Sequence, residues 1–197
     1  MQSRRIRWSR LVILVVGVLG ALLLCLLAVS ALVPNWRLIT QAPFWKTDPE
    51  LAAQAAHRML DYDLPADYQE LKVLTVQNLD AAVILAHRER PEDMIVFEGV
   101  MEEVLDVEEW RAKYETRMAA EMGGRRYHTE QVGTQETTID GQPTTVRLFE
   151  GTDESGRQVR QVVCGFTGKS GDLLLGIVAG QDTWDQAMVD GFLQSIG

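Results

Sequence analysis

Three aspartates crowd one short stretch of this chain: Asp61, Asp63 and Asp67 in DYDLPAD. Oxygen-rich loops bind hard cations such as calcium, so this stretch is a candidate metal site. It lacks the turn glycine and the distant bidentate glutamate of an EF-hand loop, and the plainer reading is a helix end running into a solvated turn. The histidines, His57, His87 and His128, are far apart, and none has a Cys or Glu at zinc-motif spacing. His57 falls on the polar side of a predicted helix beside Arg58, where a solvated ring is expected. Glu102, Glu103, Asp106, Glu108 and Glu109 gather where a helix starts, a place that favours negative charge. No G-x-S-x-G elbow is present. Gly168-Lys169-Ser170-Gly171 evokes a phosphate loop but joins two predicted strands and lacks the preceding glycine of a Walker A loop. Cys164 shares a strand face with Val162 and Phe166 and is expected to be a small buried hydrophobe. These readings assign no catalytic residue and no cofactor, and they predict a chain that is not an enzyme.

Charge separates the chain into two unlike parts. Residues 1–46 hold six basic residues and no acid, while residues 47–197 hold 13 basic and 28 acidic residues, a net charge of −15. Such an acidic balance argues against nucleic acid as a partner. The two cysteines, Cys25 and Cys164, cannot build a disulfide framework or a four-ligand zinc site.

Residues 11–33, LVILVVGVLGALLLCLLAVSALV, contain no charge. As a helix they would be about 34 Å long, enough to cross a hydrocarbon core of about 30 Å. Arg4, Arg5, Arg7 and Arg10 precede the run, and Trp8 and Trp36 flank it. Basic residues favour the cytoplasmic side and tryptophans the interfaces. The expectation is a signal anchor. Residues 1–10 form a cytoplasmic tail, 11–33 a transmembrane helix, 34–47 a linker, and 48–197 an extracytoplasmic domain in the cell membrane. Val29-Ser30-Ala31 could serve as a cleavage site, which leaves removal of the segment open; the apolar run is longer than that of an ordinary signal peptide.

The outer part reads as alternating helical and strand periods. Asp48 caps a first helix with Pro49 at its first position, and Leu51, Ala52, Ala55, Ala56, Met59 and Leu60 form its apolar stripe. Strands are predicted at Leu71–Val76, Ala81–His87 and Met94–Val100. A second helix opens with a capping-box pattern at Asp106 and Glu109. Its stripe runs Val107, Trp110, Tyr114, Met118 and Met122, and Gly123-Gly124 ends it. Asp140-Gly141 marks a hairpin between Val132–Ile139 and Thr144–Phe149. Gln158–Phe166 and Leu173–Val178 complete a four-stranded antiparallel meander. Asp182 or Thr183 is predicted to cap a last helix with Trp184, Met188, Phe192 and Ile196 on one face. This order predicts an α+β fold with helices on an antiparallel sheet.

The run Tyr62-Asp63-Leu64-Pro65 with Tyr68-Gln69-Glu70, the hairpin phrase at Gly141–Thr145 and the ending Phe192–Ile196 resemble Mog1/PsbP-like domains. Thr47–Pro65 also resembles the TDP…DYDLP opening of bacterial membrane-anchored proteins. The resemblance implies an α/β/α sandwich around a six- or seven-stranded antiparallel sheet, in a family of binding and assembly factors. The leading expectation is a single-pass membrane protein that presents a non-catalytic acidic module to an envelope protein. The alternative is an extracytoplasmic sensor domain for a small ligand or a metal.

Overall fold

The computed structural model describes residues 44–76, 79–99 and 107–197. The proposed span at 11–33, the capping aspartate Asp106, and Glu102 and Glu103 lie outside them. Among the described residues no helix is long and apolar enough to cross a membrane.

The chain begins with β1 (Phe44–Thr47), α1 (Pro49–Met59), β2 (Tyr68–Val76), β3 (Leu79–His87) and β4 (Met94–Gly99). There follow α2 (Val107–Ala120), β5 (Glu121–Met122), β6 (Arg125–Ile139), β7 (Gln142–Asp153), β8 (Gln158–Gly168), β9 (Gly171–Gly180) and α3 (Gln186–Ser195). The strands form one sheet in the order β1-β2-β3-β4-β9-β8-β7-β6-β5, with every neighbouring pair antiparallel. The sheet is two meanders joined where β4 pairs with β9.

The seven long strands are those expected from the sequence, and the two further ones are short. β1 corrects the linker boundary, because Phe44–Thr47 pairs with β2 through Phe44↔Thr75 and Thr47↔Lys72. β5 corrects the end of the second helix. α2 stops at Ala120, and Met122 turns back onto Arg125 through Gly123-Gly124, whose φ values of 60° and 81° suit glycine.

Strand period 2 and helix period 3.6 distribute the apolar residues over both sheet faces. In β9, Leu173, Leu175 and Ile177 join α1 and α3, while Leu174 and Val178 join α2. Central strands therefore read as continuous apolar runs. Asp48 accepts from the Leu51 N–H at 3.1 Å, as the sequence predicts for the cap of α1. The last helix starts later than expected. Asp185, and not Asp182 or Thr183, accepts from the Met188 N–H at 3.1 Å and caps it. Val189, Phe192, Leu193 and Ile196 are buried on the α1/α3 face. On the α2 face Gly176 lets Met118 and Met122 approach the sheet; a Cβ there would lie 2.4 Å from the Met122 methyl carbon.

At the hairpin between β6 and β7, Asp140 and Gly141 have φ values of 49° and 69°, the paired positive angles of a type I′ turn. The hairpin tip leaves β8, whose pairing with β7 stops at Arg147↔Val163. Side chains replace the missing ladder bonds. Glu115 Oε1 accepts from the Gly165 N–H at 2.9 Å, and Gln142 Nε2 donates to the Thr167 carbonyl at 2.9 Å. The tip curls onto the end of α3, with Ile139 buried and the Asp140 N–H donating to the Ile196 carbonyl at 3.2 Å.

Candidate functional site

The three aspartates of the candidate metal site go separate ways. Asp61 pairs with Lys169 Nζ at 2.5 Å. The Asp63 N–H donates to Ser195 Oγ at 3.1 Å, and the Asp67 carbonyl accepts from the Arg88 N–H at 2.8 Å. Among the described residues no three His, Cys, Asp or Glu side chains converge as a metal site. His57 is exposed and stacks on Tyr62, with ring centroids 5.2 Å apart. His87 is buried; its Nδ1 accepts from the Glu89 and Arg90 N–H groups, each at 3.2 Å, which closes the turn after β3. Cys164 is fully buried on the face it was expected to share with Val162 and Phe166. Gly168–Gly171 is the turn between β8 and β9.

Among the described residues the most deeply buried carboxylate is Asp93, which the sequence did not single out. It is 1% exposed at the start of β4. Its Oδ1 accepts from Arg157 Nη1 and the Gly180 N–H, each at 3.0 Å. Its Oδ2 accepts from Arg90 Nε at 2.8 Å and Thr183 Oγ1 at 3.0 Å. Burial pushes the carboxyl pKa up, but hydrogen bonds from Arg90, Gly180, Arg157 and Thr183 outweigh it and hold it below the ordinary value. Four donors occupy the oxygens, so the group is a clamp joining β4, β9 and the turn before β8. It has no free lone pair aimed at a substrate. Nearby Tyr68 is pushed up to about 12 by burial and by the Asp93 charge.

A second buried acid, Glu115 on α2, bridges the Gly165 N–H and Arg147 Nε, the latter at 2.5 Å. Both buried carboxylates are thus committed to holding the fold. Apart from Arg90, three residues from Asp93, their partners are distant in sequence, and the local signal was only an acid before an apolar strand or inside a helix.

One feature open to solvent is a groove on the α2 face. Cross-strand register lines up Trp45, Leu74, Ala82 and Glu98 across β1 to β4. With Val96 they meet Arg117, Glu121 and Gly123-Gly124 from the end of α2, enclosing about 240 Å³. The floor is apolar. The wall carries an ion pair between Arg117 and Glu98, and the Arg117 guanidinium lies 4.9 Å from the Tyr114 ring centre. Of the aromatics expected to be core or cleft residues, Tyr114 and Trp184 are half-buried; the Trp110 side chain lies outside the described residues. Of the groove residues, Leu74, Ala82, Val96 and Glu98 were expected on strands, Trp45 in the linker, and Arg117, Glu121 and Gly123-Gly124 in or at the end of the second helix; nothing in their types marked them as one site.

No family model matches the chain, and a search of curated proteins gives no match. Among solved structures the chain is similar to the solution structure of cyanobacterial PsbP (CyanoP) from Synechocystis sp. PCC 6803. Identity is 13%, covering 80% of this chain and 92% of that one, with a TM-score of 0.44.

Proposed function

We propose that this chain is a single-pass membrane protein whose outer α+β module binds another envelope protein without catalysis. Residues 11–33 would anchor it with the N-terminus in the cytoplasm, as the basic flank favours. The observation that carries the binding reading is the groove bounded by Trp45, Leu74, Ala82, Val96 and Arg117. Its apolar floor and charged wall suit an inserted apolar side chain with a polar neighbour. Its volume of about 240 Å³ falls below the roughly 300–1,000 Å³ of small-molecule pockets. That favours a protein anchor over the small-ligand sensor.

The test is capture of the full chain from native membranes, compared with an Ala82→Phe variant that fills the groove. A protein retained by the wild type and lost from the variant is expected. Equal retention by both would remove the groove from the function.

A further inference from the structure

The sheet has one long uncovered edge among the described residues. At its ends, β1 has four residues and β5 only two. β5 pairs with Arg125 and Arg126 alone, so residues 127–139 of β6 have β7 on one side and no described strand on the other. At about 3.3 Å per residue, that edge is roughly 40 Å long.

The register gives the direction of its backbone groups. A two-residue turn makes Ile139↔Gln142 a hydrogen-bonded pair, so Thr137, Gln135 and Gly133 also bond inward to β7. The N–H and C=O groups of Thr134, Glu136 and Thr138 therefore point away from the sheet. Pro143, which has no N–H, sits opposite Thr138, where β7 needs no inward donor. The side chains of His128, Glu130, Gln131, Thr134, Gln135, Glu136 and Thr138 are exposed, and Val132 is 58% exposed at the Gln131–Gly133 bulge. Protected edges commonly carry lysine or proline. Residues 127–139 contain neither, and their charged residues are Glu130 and Glu136.

We propose that this edge of β6 accepts an extended basic segment of another polypeptide as a further strand. The inference rests on the binding-module reading and names the chemistry of its partner. Main-chain pairing would satisfy the outward groups of Thr134, Glu136 and Thr138. Glu130, on the α1/α3 face, and Glu136, on the α2 face, would each meet a Lys or Arg of the added strand. The net charge of −15 on residues 47–197 favours such a segment at long range. A second copy fits less well, because antiparallel self-pairing of Thr134–Thr138 in full register sets Glu136 against Glu136.

The experiment is amide hydrogen exchange on the full chain in detergent micelles. One probe is a 12-residue peptide of three Thr-Lys-Lys-Thr repeats, which presents Lys on both faces of a strand, and the control has Glu in place of each Lys. The Lys peptide should slow exchange at Thr134, Glu136 and Thr138 at least tenfold, and the Glu peptide should not. A Glu130→Lys/Glu136→Lys variant with unchanged melting temperature should lose the effect. Unchanged exchange at all three amides overturns the proposal. So does slowing that follows protein concentration without peptide, which would mean self-pairing. Slowing at Leu74 and Ala82 with β6 unchanged would overturn the edge and leave the groove standing.

Discussion

The two faces of the sheet are closed in different ways. On one, α1 and α3 lie over Val83, Leu85, Ile95, Phe97 and Leu175, and the layer is almost wholly apolar. Tyr62, Phe97 and Phe192 meet there with ring centroids 5.5 to 6.1 Å apart. On the other, α2 and β5 supply the cover among the described residues, through Met118, Met122 and the buried Glu115. Polar Gln161 is also buried in the sheet, with its Oε1 3.4 Å from Thr129 Oγ1. Methionine is unbranched and fills irregular gaps; Met94, Met118 and Met122 pack on this face against buried Met59 on the other, so the α2 face can adapt its shape more readily. One face fixes the fold, and the other leaves a groove.

If that contrast holds, truncation on the tightly packed face costs most. Phe192→Ala should destabilise the chain by about 3–5 kcal/mol, from lost burial plus a cavity, as read by denaturant melts. The Asp93 clamp at the end of the sheet is next. Asp93→Ala removes a buried partner of two arginines and should cost about 3 kcal/mol or more. Its pH dependence has a definite sign. The folded carboxyl has a pKa below its ordinary 3.8, so the unfolded chain takes up the proton first as pH falls. The clamp's stabilisation is full above that ordinary value and is lost progressively below it, through the folded pKa. Melts of Asp93→Asn between pH 2 and 6 should show a shallower acid limb than the wild type.

The adaptable face should give smaller effects. Gly176→Ala forces Met118 and Met122 to move, and their flexible ends should limit the cost to about 1–3 kcal/mol. A larger loss would show that the α2 face is as rigid as the other. At the bottom of the scale, exposed Gln194→Ala on α3 should change stability by less than about 0.5 kcal/mol, which separates the two sides of that helix.

Local signals account for the parts of the fold that were readable. Asp48-Pro49 marked the start of α1, and Asp140-Gly141 marked the hairpin, because caps and type I′ turns depend on adjacent residues. Where several local choices competed, tertiary contacts decided. Asp182, Thr183 and Asp185 can all cap a helix, and Thr183 is instead drawn to Asp93. β1 is a strand because β2 offers it an edge; Phe, Trp and Thr favour strands, but a run of four, bounded by Pro43 and by Asp48-Pro49, is too short to announce one. The clamp and the groove were not legible for the same reason. Asp93 meets Gly180 and Thr183 across 87 and 90 positions of sequence, and Trp45 reaches Arg117 only through the register of four strands.

If the α2 face receives the proposed partner and the α1/α3 face does not, the two faces differ in what they touch in the cell. A photo-cross-linking side chain placed at Leu74, in the groove, can be compared in intact cells with one at Leu51, which is 41% exposed on α1. A discrete adduct with another protein is expected from position 74, none from position 51, and loss of the adduct when Ala82→Phe is added. No adduct from position 74, or equal adducts from both positions, would contradict the proposed difference.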